Sequence, residues 1–404
     1  MNADIRDQFP ILHQEINGRP LVYLDNAATV QKPQCVLDVS QRYYSDINAN
    51  IHRGVHYLSR KATDAHETAR SYIAEYLNAP HEHEVIFTSG TTDGINLVAD
   101  TLALSGKITS DDHILISGLE HHSNIVPWQM LCQRTGAQLD VIPITDSGEW
   151  DLSEIDSLLT DKTKLVAVNQ VSNALGTINP IRELIAKAKA VGAWTLIDGA
   201  QSTPHMAIDL QEIGCDFFVF SGHKTYAPTG IGILWGKTEL LEMLPPWRGG
   251  GEMIKEVTFA KTTYNDLPFK YEAGTPNIEG GIALAEALKW MKDIGLATIA
   301  SHEDKLLTLA TAAISEIEGI KLYGTAANKA SVLSFGIEGV HHYDLGTLMD
   351  QMGVGVRTGH HCCQPLMQRF GITGTTRASF AIYNTEQEVE LFIQAVKKAA
   401  MMLR

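Results

Sequence analysis

The sequence lacks any run of eighteen apolar residues, any internal repeat and any low-complexity segment. Without such an apolar run, no transmembrane span is predicted. The first residues, from Met1 to Asp7, also lack the charged-then-apolar pattern of a signal peptide. Positive charge is scarce, and the formal net charge of −15 argues against nucleic acid or an anionic membrane as a main partner. We therefore expect a soluble, cytoplasmic globular protein.

Cysteine is scarce as well, and its distribution does not suggest a disulfide framework. The number is odd and the first three cysteines are widely scattered. Those three lie in or beside apolar stretches, where small buried hydrophobic residues are the ordinary interpretation. The five cysteines are Cys35, Cys132, Cys215, Cys362 and Cys363.

What the sequence does contain is an alternation of short apolar runs with helical patterns. This alternation predicts a doubly wound α/β sheet, mostly parallel, with a ligand at the carboxyl ends of its strands. The run from Gly230 to Trp235 is predicted to be one further strand that returns into the sheet. The other predicted strands are Val85 to Thr88, His113 to Ser117, Leu139 to Ile142, Leu165 to Asn169, Trp194 to Asp198 and Phe217 to Phe220.

A length of 404 residues exceeds the size at which a single core usually stops growing, so two domains are expected. A long Ala/Leu-rich helix from about Ile282 through Met291 leads into a smaller α/β domain. We expect a large domain over 20–281 and a small C-terminal domain over 282–404, which residues 1–19 join. The predicted elements of the small domain are a strand from Ser331 to Ile337 and helices from Tyr343 to Met352 and from Glu386 to Leu403.

Two of the predicted strands end in residues that together indicate a particular cofactor. Lys224 follows the strand Phe217 to Phe220, and Asp198 ends the strand that starts at Trp194. A lysine amine held at a strand end can bond reversibly to an aldehyde, and an aspartate keeps a pyridine nitrogen protonated. Lys224 alone would ordinarily be a surface residue, and Asp198 alone a helix cap. The combination favours pyridoxal 5′-phosphate (PLP), with the protein orienting and tuning its ring.

Other strand ends offer groups for the phosphate and the ring. Thr91 and Thr92 open a helical pattern directly after a strand, where free N–H groups and the helix dipole favour an anion. Ser221 and His223, which flank the lysine, are further candidates for the phosphate. His121 follows another strand end, where an imidazole can stack on a pyridine ring and move protons.

The segment from Arg357 to Cys363 is a second reactive element. A working cysteine needs cationic neighbours that lower its pKa, and Arg357 and the two histidines at 360 and 361 are candidates. Four consecutive ligand-type residues do not easily wrap one tetrahedral ion, so no metal site is predicted. Arg377 is a candidate to bind a carboxylate with its planar guanidinium, and the alternative is a surface salt bridge.

These residues together resemble the group II cysteine desulfurases, of the SufS and CsdA type, in the class V aminotransferase family. The likeness runs over nearly the whole chain. Ser221 to Lys224 resembles the family's S-G-H-K element, Asp198 to Gln201 its D-G-A-Q run, and Arg357 to Cys362 its R-x-G-x-H-C segment. Some segments are closer to SufS and others to CsdA, so the subgroup stays open.

The resemblance implies fold type I of the PLP-dependent transferases, with a mostly parallel seven-stranded sheet in the large domain. It implies that Lys224 binds PLP covalently and later moves the α-proton, while Cys362 attacks the substrate sulfur, becomes a persulfide and releases alanine. The other implied roles are Asp198 at the pyridinium nitrogen, Gln201 at the ring hydroxyl, Thr91, Thr92, Ser221 and His223 at the phosphate, His121 on the ring, Arg377 with Asn173 and Arg357 at the substrate carboxylate, and Thr275 at the neighbouring subunit's phosphate.

The resemblance also implies a homodimer, L-cysteine as substrate and a sulfur-acceptor protein of the SufE or CsdE type. The sulfur would serve iron–sulfur cluster assembly or other sulfur trafficking. Selenocysteine lyase activity is expected beside desulfuration, and a main role as selenocysteine lyase, kynureninase-like enzyme or aminotransferase stays open. A catalytically idle scaffold is a rival of another class, which the presence of Lys224 and Asp198 argues against. Cys363 stands where relatives usually carry a small non-thiol residue, and we expect Cys362 to be essential and Cys363 not.

Overall fold

The computed structural model describes residues 2–404. These residues form a main sheet and four smaller sheets. The strands are β1 (Glu15–Ile16), β2 (Arg19–Pro20), β3 (Val22–Tyr23), β4 (Val85–Thr88), β5 (His113–Ser117), β6 (Gln138–Ile142), β7 (Thr163–Asn169), β8 (Trp194–Asp198), β9 (Phe217–Ser221), β10 (Gly232–Gly236), β11 (Ile254–Val257), β12 (Thr262–Tyr264), β13 (Ile320–Tyr323), β14 (Val332–Ile337), β15 (Val354–Gly355), β16 (Arg357–Gly359) and β17 (Thr375–Ser379).

Helices pack around these strands and connect them. They are α1 (Asn2–Arg6), α2 (Gln34–Arg42), α3 (Tyr57–Tyr76), α4 (Thr91–Ser105), α5 (Val126–Thr135), α6 (Ile155–Leu158), α7 (Ile181–Ala190), α8 (Leu210–Ile213), α9 (Thr238–Met243), α10 (Ile278–Ile294), α11 (Leu296–Ser315), α12 (His342–Gln351), α13 (Gln364–Arg369) and α14 (Glu386–Leu403).

The main sheet has seven strands in the order β4-β10-β9-β8-β7-β5-β6. β10 runs antiparallel to both of its neighbours, and the other strands run parallel to one another. The predicted mostly parallel seven-stranded sheet is therefore confirmed. The strand predicted from Gly230 begins two residues later, because Gly230 has a φ of +76° and belongs to the preceding turn.

Alternate residues of each central strand enter two different cores, as the two-residue period of a strand requires. In β9, Phe218 and Phe220 pack into the core that also contains the buried side of α10, whereas Phe217 and Val219 pack into the core with α4. Helices therefore cover both faces of the sheet. This arrangement leaves the strand ends free to form a site.

Helix α10 begins at Ile278, four residues before the predicted start. Asn277 caps it, since its Oδ1 accepts a hydrogen bond from the N–H of Gly280 at 2.9 Å. Gly280 and Gly281 interrupt the apolar pattern and conceal this first turn in the sequence. At Gly281 a side chain would meet the rings of His66 and Phe87, so the glycine allows α10 to approach its neighbours closely.

The C-terminal part contains the antiparallel sheet β13-β14-β17-β16. Its predicted elements are confirmed within one residue at each end, and α14 has the predicted bounds. The N-terminal strand β3 pairs in parallel with β15, and Val22 and Leu24 enter the core beneath this second sheet. Phe9, by contrast, belongs to the core of the main sheet. The division into 20–281 and 282–404 stays a prediction.

Within residues 2–404, no helix is both long enough and apolar enough to cross a bilayer.

Gly232 offers a test of how tightly the sheet packs beside the turn that begins α4. A Cβ atom at Gly232 would touch the backbone of Gly90 and lie 2.6 Å from the carbonyl oxygen of Phe220. Backbone atoms cannot move aside cheaply, so we expect Gly232→Ala to lower the free energy of unfolding by about 1–3 kcal/mol. The control is Gly249→Ala, where nothing lies within 4 Å of the added atom. Equal urea-unfolding midpoints for the two variants would contradict this packing.

Candidate active site

A cavity of about 360 Å³ lies where the carboxyl ends of β8 and β9 meet the second sheet. This volume falls within the usual range for small-molecule and cofactor sites. Thr275 lies outside the cavity, exposed on the loop before α10. The structure brings the other predicted site residues together in its lining, which includes Thr91, Thr92, His121, Asn173, Asp198, Gln201, Ser221, His223, Lys224, Arg357, Cys362 and Arg377.

Asp198 and Lys224 come from neighbouring strands and face the same cavity. The side chain of Asp198 is buried, and its Oδ1 accepts a hydrogen bond from the N–H of Ala200 at 2.9 Å. Burial raises the pKa of Asp198, whereas that N–H and the charge of Lys224 lower it. Burial lowers the pKa of Lys224, and the charge of Asp198 opposes this shift. A lowered pKa increases the neutral, nucleophilic fraction of the amine.

The imidazole of His121 is neutral, and its tautomer follows from its contacts. Burial and the charge of Lys224 lower its pKa to about 3. The N–H of Ser123 donates to His121 Nδ1 at 3.0 Å, so this nitrogen is the acceptor. In a neutral ring the proton therefore resides on Nε2.

The N-terminus of α4 opens into the cavity and offers donors to an anion. The N–H and the hydroxyl of Thr91 each lie 2.8 Å from Ser221 Oγ, which ties the start of this fifteen-residue helix to the end of β9. Gly90, just before the helix, has a φ of +145°, which a residue with a side chain rarely adopts. Burial, Lys224 and Lys32 lower the pKa of His223 to about 4, so that its ring is neutral.

Two arginines share one carboxylate on the opposite wall of the cavity. Arg377 is buried and donates through Nη1 to the carbonyl oxygen of Asn173 at 2.8 Å. Arg357 contacts Asp25 through Nη2 at 2.6 Å, and Arg377 Nη2 lies 3.5 Å from the same carboxylate. The group carries one net positive charge. A second carboxylate, supplied by a ligand, would neutralise this remaining charge.

Asp25 is a site residue that the sequence analysis missed. It follows an apolar stretch in which Val22 and Leu24 are buried, and thus carries the same signal that identified Asp198. The apolar run from Leu21 to Leu24 is as long as the strand predicted from Val85 to Thr88 and could have identified Asp25, although the regular strand β3 comprises only two of its residues. Its position is fixed by the second sheet, through a bridge to Ser379.

The segment of residues 360–363, called the cysteine loop below, holds two adjacent thiols in different environments. Cys362 is exposed and Cys363 is buried. His361 and Cys362 have φ angles of +51° and +55°, a left-handed conformation that is strained for residues with side chains. The N–H of His122 donates to the carbonyl oxygen of Cys362 at 2.7 Å and helps to hold the loop in this conformation.

The expectation that both histidines of the loop supply positive charge is wrong for His361. Its side chain is buried, and burial together with Arg377 lowers its pKa well below the usual range. Its Nε2 lies 2.8 Å from the hydroxyl of Thr375. His361 is therefore a neutral anchor of the loop, whereas the guanidinium of Arg357 is a permanent positive charge on the same cavity wall.

Glu120 is a second residue that the sequence analysis did not single out. It lies behind His121, fully enclosed, and its oxygens accept hydrogen bonds from Ser117 Oγ at 2.5 Å and Asn124 Nδ2 at 2.7 Å. Burial raises its pKa to about 8, and the charge of Asp198 acts in the same direction. The Glu-His-His sequence gives no hint of this, since acidic residues are mostly exposed.

Several groups in the cavity fit PLP. Among the described residues, Arg377 Nε is buried without a hydrogen-bond partner, and Lys224 lines the cavity with a lowered pKa. Asp198 keeps one carboxylate oxygen clear of the protein hydrogen bond described above, and the start of α4 presents N–H and hydroxyl donors. A Schiff-base amine, an anion for a ring nitrogen and a phosphate site are thus arranged around one volume.

Glu120 generates a prediction for stability against pH. Its folded-state pKa of about 8 lies above the ordinary value of 4.5, so between these values the folded state binds more protons than the unfolded state. Its contribution to stability is therefore complete at low pH and is lost as the pH rises through about 8. Relative to Glu120→Gln, which cannot titrate, the wild type should lose roughly 2–4 kcal/mol of unfolding free energy between about pH 5 and about pH 8.

Urea unfolding of the cofactor-loaded proteins at the two pH values measures this difference. The exposed Glu154→Gln serves as the control and should follow the wild type. Identical pH slopes for the wild type and Glu120→Gln would refute the raised pKa.

Comparisons with known proteins agree with this fold and site. The "Aminotransferase class-V" family model matches residues 22–392. A "Probable cysteine desulfurase" of Vibrio cholerae is 50% identical over all 404 residues and is itself covered completely. A "Cysteine desulfurase" of Yersinia pseudotuberculosis is 45% identical over 99% of this chain and 98% of its own length.

A solved structure gives the same result. The cysteine desulfurase CsdA of Escherichia coli, in an S-sulfonic acid form, superposes with a TM-score of 0.92 at 39% identity, covering 100% of this chain and 99% of the other. Sequence and structure thus match over essentially the entire length. The chain belongs to the class V aminotransferase family of PLP-dependent enzymes.

Proposed function

We propose that the protein is a cysteine desulfurase, which converts L-cysteine to L-alanine and transfers the sulfur to Cys362 as a persulfide. One observation carries this proposal: an exposed thiol lines the same cavity as a half-buried lysine with a lowered pKa. An aminotransferase needs the lysine and has no use for the thiol. The desulfurase relatives named above support the same reaction.

The residues proposed to hold the cofactor are those that line the cavity described above. PLP, when bound, stabilises negative charge at the α-carbon of the substrate. Lys224 would bind it covalently, Asp198 would pair with its ring nitrogen and Gln201 would contact its ring hydroxyl. Thr91 and Thr92 at the N-terminus of α4, together with Ser221 and His223, would donate hydrogen bonds to its phosphate.

The arginine pair is proposed to bind the substrate carboxylate. Arg377 is fixed by the carbonyl oxygen of Asn173 and lies beside Arg357, with Asp25 balancing one of the two charges. A guanidinium presents two parallel N–H groups to a carboxylate, which sets the orientation of the substrate as well as its affinity.

Lys224 and His121 are proposed to handle protons. The neutral amine of Lys224 removes the proton from the α-carbon, as its lowered pKa allows. His121 would face the ring, and its neutral imidazole would donate a proton from Nε2.

Cys362 is proposed to act as the nucleophile. Its thiolate attacks the sulfur of the bound substrate: a sulfur–sulfur bond forms, the carbon–sulfur bond breaks, and the electron pair stays with the carbon that takes up a proton to become the methyl group of alanine. The protein keeps the sulfur as a persulfide. Selenium in L-selenocysteine would leave from the same position.

A second subunit and an acceptor protein are further parts of the proposal. The exposed Thr275 is available to reach the phosphate of a partner copy, so we propose a homodimer. The short cysteine loop cannot extend far, which favours a dedicated acceptor of the SufE or CsdE kind for iron–sulfur assembly or other sulfur trafficking. The cytoplasm suits a chain with five free cysteines.

The test of the function is production of alanine and sulfide from L-cysteine in the presence of a reductant. We expect equal amounts of both from the wild type and neither from Cys362→Ala. Cys132→Ala, a half-buried helix cysteine remote from the cavity, should retain full activity. No alanine from wild type with bound PLP would refute the desulfurase reaction. Activity of Cys362→Ala would refute the role of Cys362.

The arginine pair predicts a selective loss of substrate affinity. Lysine offers a single charge in place of a planar, two-pronged donor, so Arg377→Lys should raise the KM for L-cysteine about 10- to 100-fold, with a smaller effect on kcat. The control is Arg369→Lys, because Arg369, on α13 and outside the cavity, pairs with the exposed Asp146. Steady-state kinetics measure both variants, and an unchanged KM for Arg377→Lys would contradict the assignment.

A further inference from the structure

Cys363 is next to the proposed nucleophile and yet has the opposite environment. Cys362 lines the cavity and is exposed, whereas Cys363 has no exposed surface and points into the core behind the loop. The two left-handed residues before Cys363 produce this reversal, because they turn the chain sharply at His361 and Cys362. The environment of Cys363 therefore decides what a second thiol can do here.

The proton of the Cys363 thiol has a defined acceptor. Cys363 Sγ lies 3.2 Å from Asn173 Oδ1 and 3.4 Å from the carbonyl oxygen of His361. That carbonyl already accepts a hydrogen bond from Asn173 Nδ2 at 2.8 Å. Within the described residues, Asn173 Oδ1 has no other donor. Asn173 Oδ1, which is nearer and has no other donor, therefore accepts the hydrogen bond from the thiol.

Asn173 is the junction between the cysteine loop and the arginine pair. Its Nδ2 holds the carbonyl oxygen of His361, and its own carbonyl oxygen holds Arg377 Nη1, each at 2.8 Å. The thiol bond is a second side-chain hydrogen bond on this amide and acts together with that of Nδ2 to fix its orientation. Without the thiol donor, Oδ1 has no partner among the described residues and only the Nδ2 bond orients the side chain, which weakens one anchor of a strained segment.

Cys363 is unsuited to accept or carry sulfur itself. Burial raises the pKa of its thiol to about 12, and the lowering effect of Arg377 does not offset this. The group therefore remains an S–H donor near neutral pH, where a thiolate would be needed for nucleophilic attack.

We propose that Cys363 is a positioning residue, whose thiol orients the side chain of Asn173 and thereby couples the sulfur-carrying cysteine loop to the carboxylate site at Arg377. The expected change in the kinetics with L-cysteine rests on the proposed desulfurase function. The link between Cys363, Asn173 and the cysteine loop is a property of the fold, and the alkylation rate of Cys362 measures it without reference to that function.

Two substitutions separate the hydrogen bond from simple filling of space. Cys363→Ala removes the donor, whereas Cys363→Ser keeps a donor at nearly the same position. Cys215→Ala is the matched control, because Cys215 is equally buried but lies in the core of the main sheet. Cys215→Ala removes the same side-chain atom as Cys363→Ala but leaves the lining of the cavity unchanged.

The measurements are the KM and kcat for L-cysteine and the rate at which iodoacetamide alkylates Cys362 in the native, cofactor-loaded protein. We expect Cys363→Ala to raise KM and the alkylation rate about threefold to tenfold, the size of one hydrogen bond. Cys363→Ser should restore both to within about twofold of the wild type, and Cys215→Ala should change neither.

Equal effects of Cys363→Ala and Cys363→Ser would overturn the proposal, as would wild-type values for both. Alkylation of Cys363 as fast as Cys362 in the wild type would also overturn it. A wild type that makes no alanine would refute the proposed function instead, while the alkylation rates of Cys362 would still decide the positioning role.

Discussion

The site depends on an acidic and a basic side chain that are held away from water at the ends of adjacent parallel strands. Removing Asp198 and Lys224 from water is unfavourable for each alone, and their mutual attraction compensates only in part. A sheet with helices on both faces supplies the rigid frame that keeps them in place. This frame leaves a lysine of reduced pKa and an anion facing one cavity, which is the arrangement that a pyridine cofactor requires.

The second sheet, β13-β14-β17-β16, supplies the arginine pair and supports the cysteine loop. β16 and β17 bring Arg357 and Arg377 opposite the strand ends, and Asp25 keeps their combined charge at one. The same sheet leads into the cysteine loop, whose left-handed residues direct one thiol into the cavity and the next into the core. Binding of a carboxylate and presentation of a thiol therefore share one structural support, with Asn173 as the connection.

Much of this could be predicted from the sequence, because strand ends in a parallel sheet converge and because they carried unusual residues. Asp198, Lys224 and Thr91 each follow a recognisable buried strand, and all three line the cavity. Asp25 was missed although the apolar run Leu21 to Leu24 precedes it, because this run lies near the N-terminus, apart from the strand–helix alternation that identified the other strand ends. Glu120 was missed because its burial results from packing between distant segments.

The cysteine loop shows a different limit. The resemblance singles out Cys362 as the nucleophile, but the exposure of Cys362 and the burial of Cys363 depend on the φ angles of His361 and Cys362, which the sequence does not show. The neutral state of His361 was likewise hidden, since it depends on burial against Arg377. Such properties come from the three-dimensional environment and not from residue type.

The most direct test of the account is the location of the transferred sulfur. Wild type, Cys362→Ser and Cys363→Ser would be treated with L-cysteine without reductant, and the intact proteins weighed by mass spectrometry. The account predicts one added sulfur atom on the wild type and on Cys363→Ser, and none on Cys362→Ser. Added sulfur on Cys362→Ser, or its absence from the wild type, would contradict transfer to Cys362.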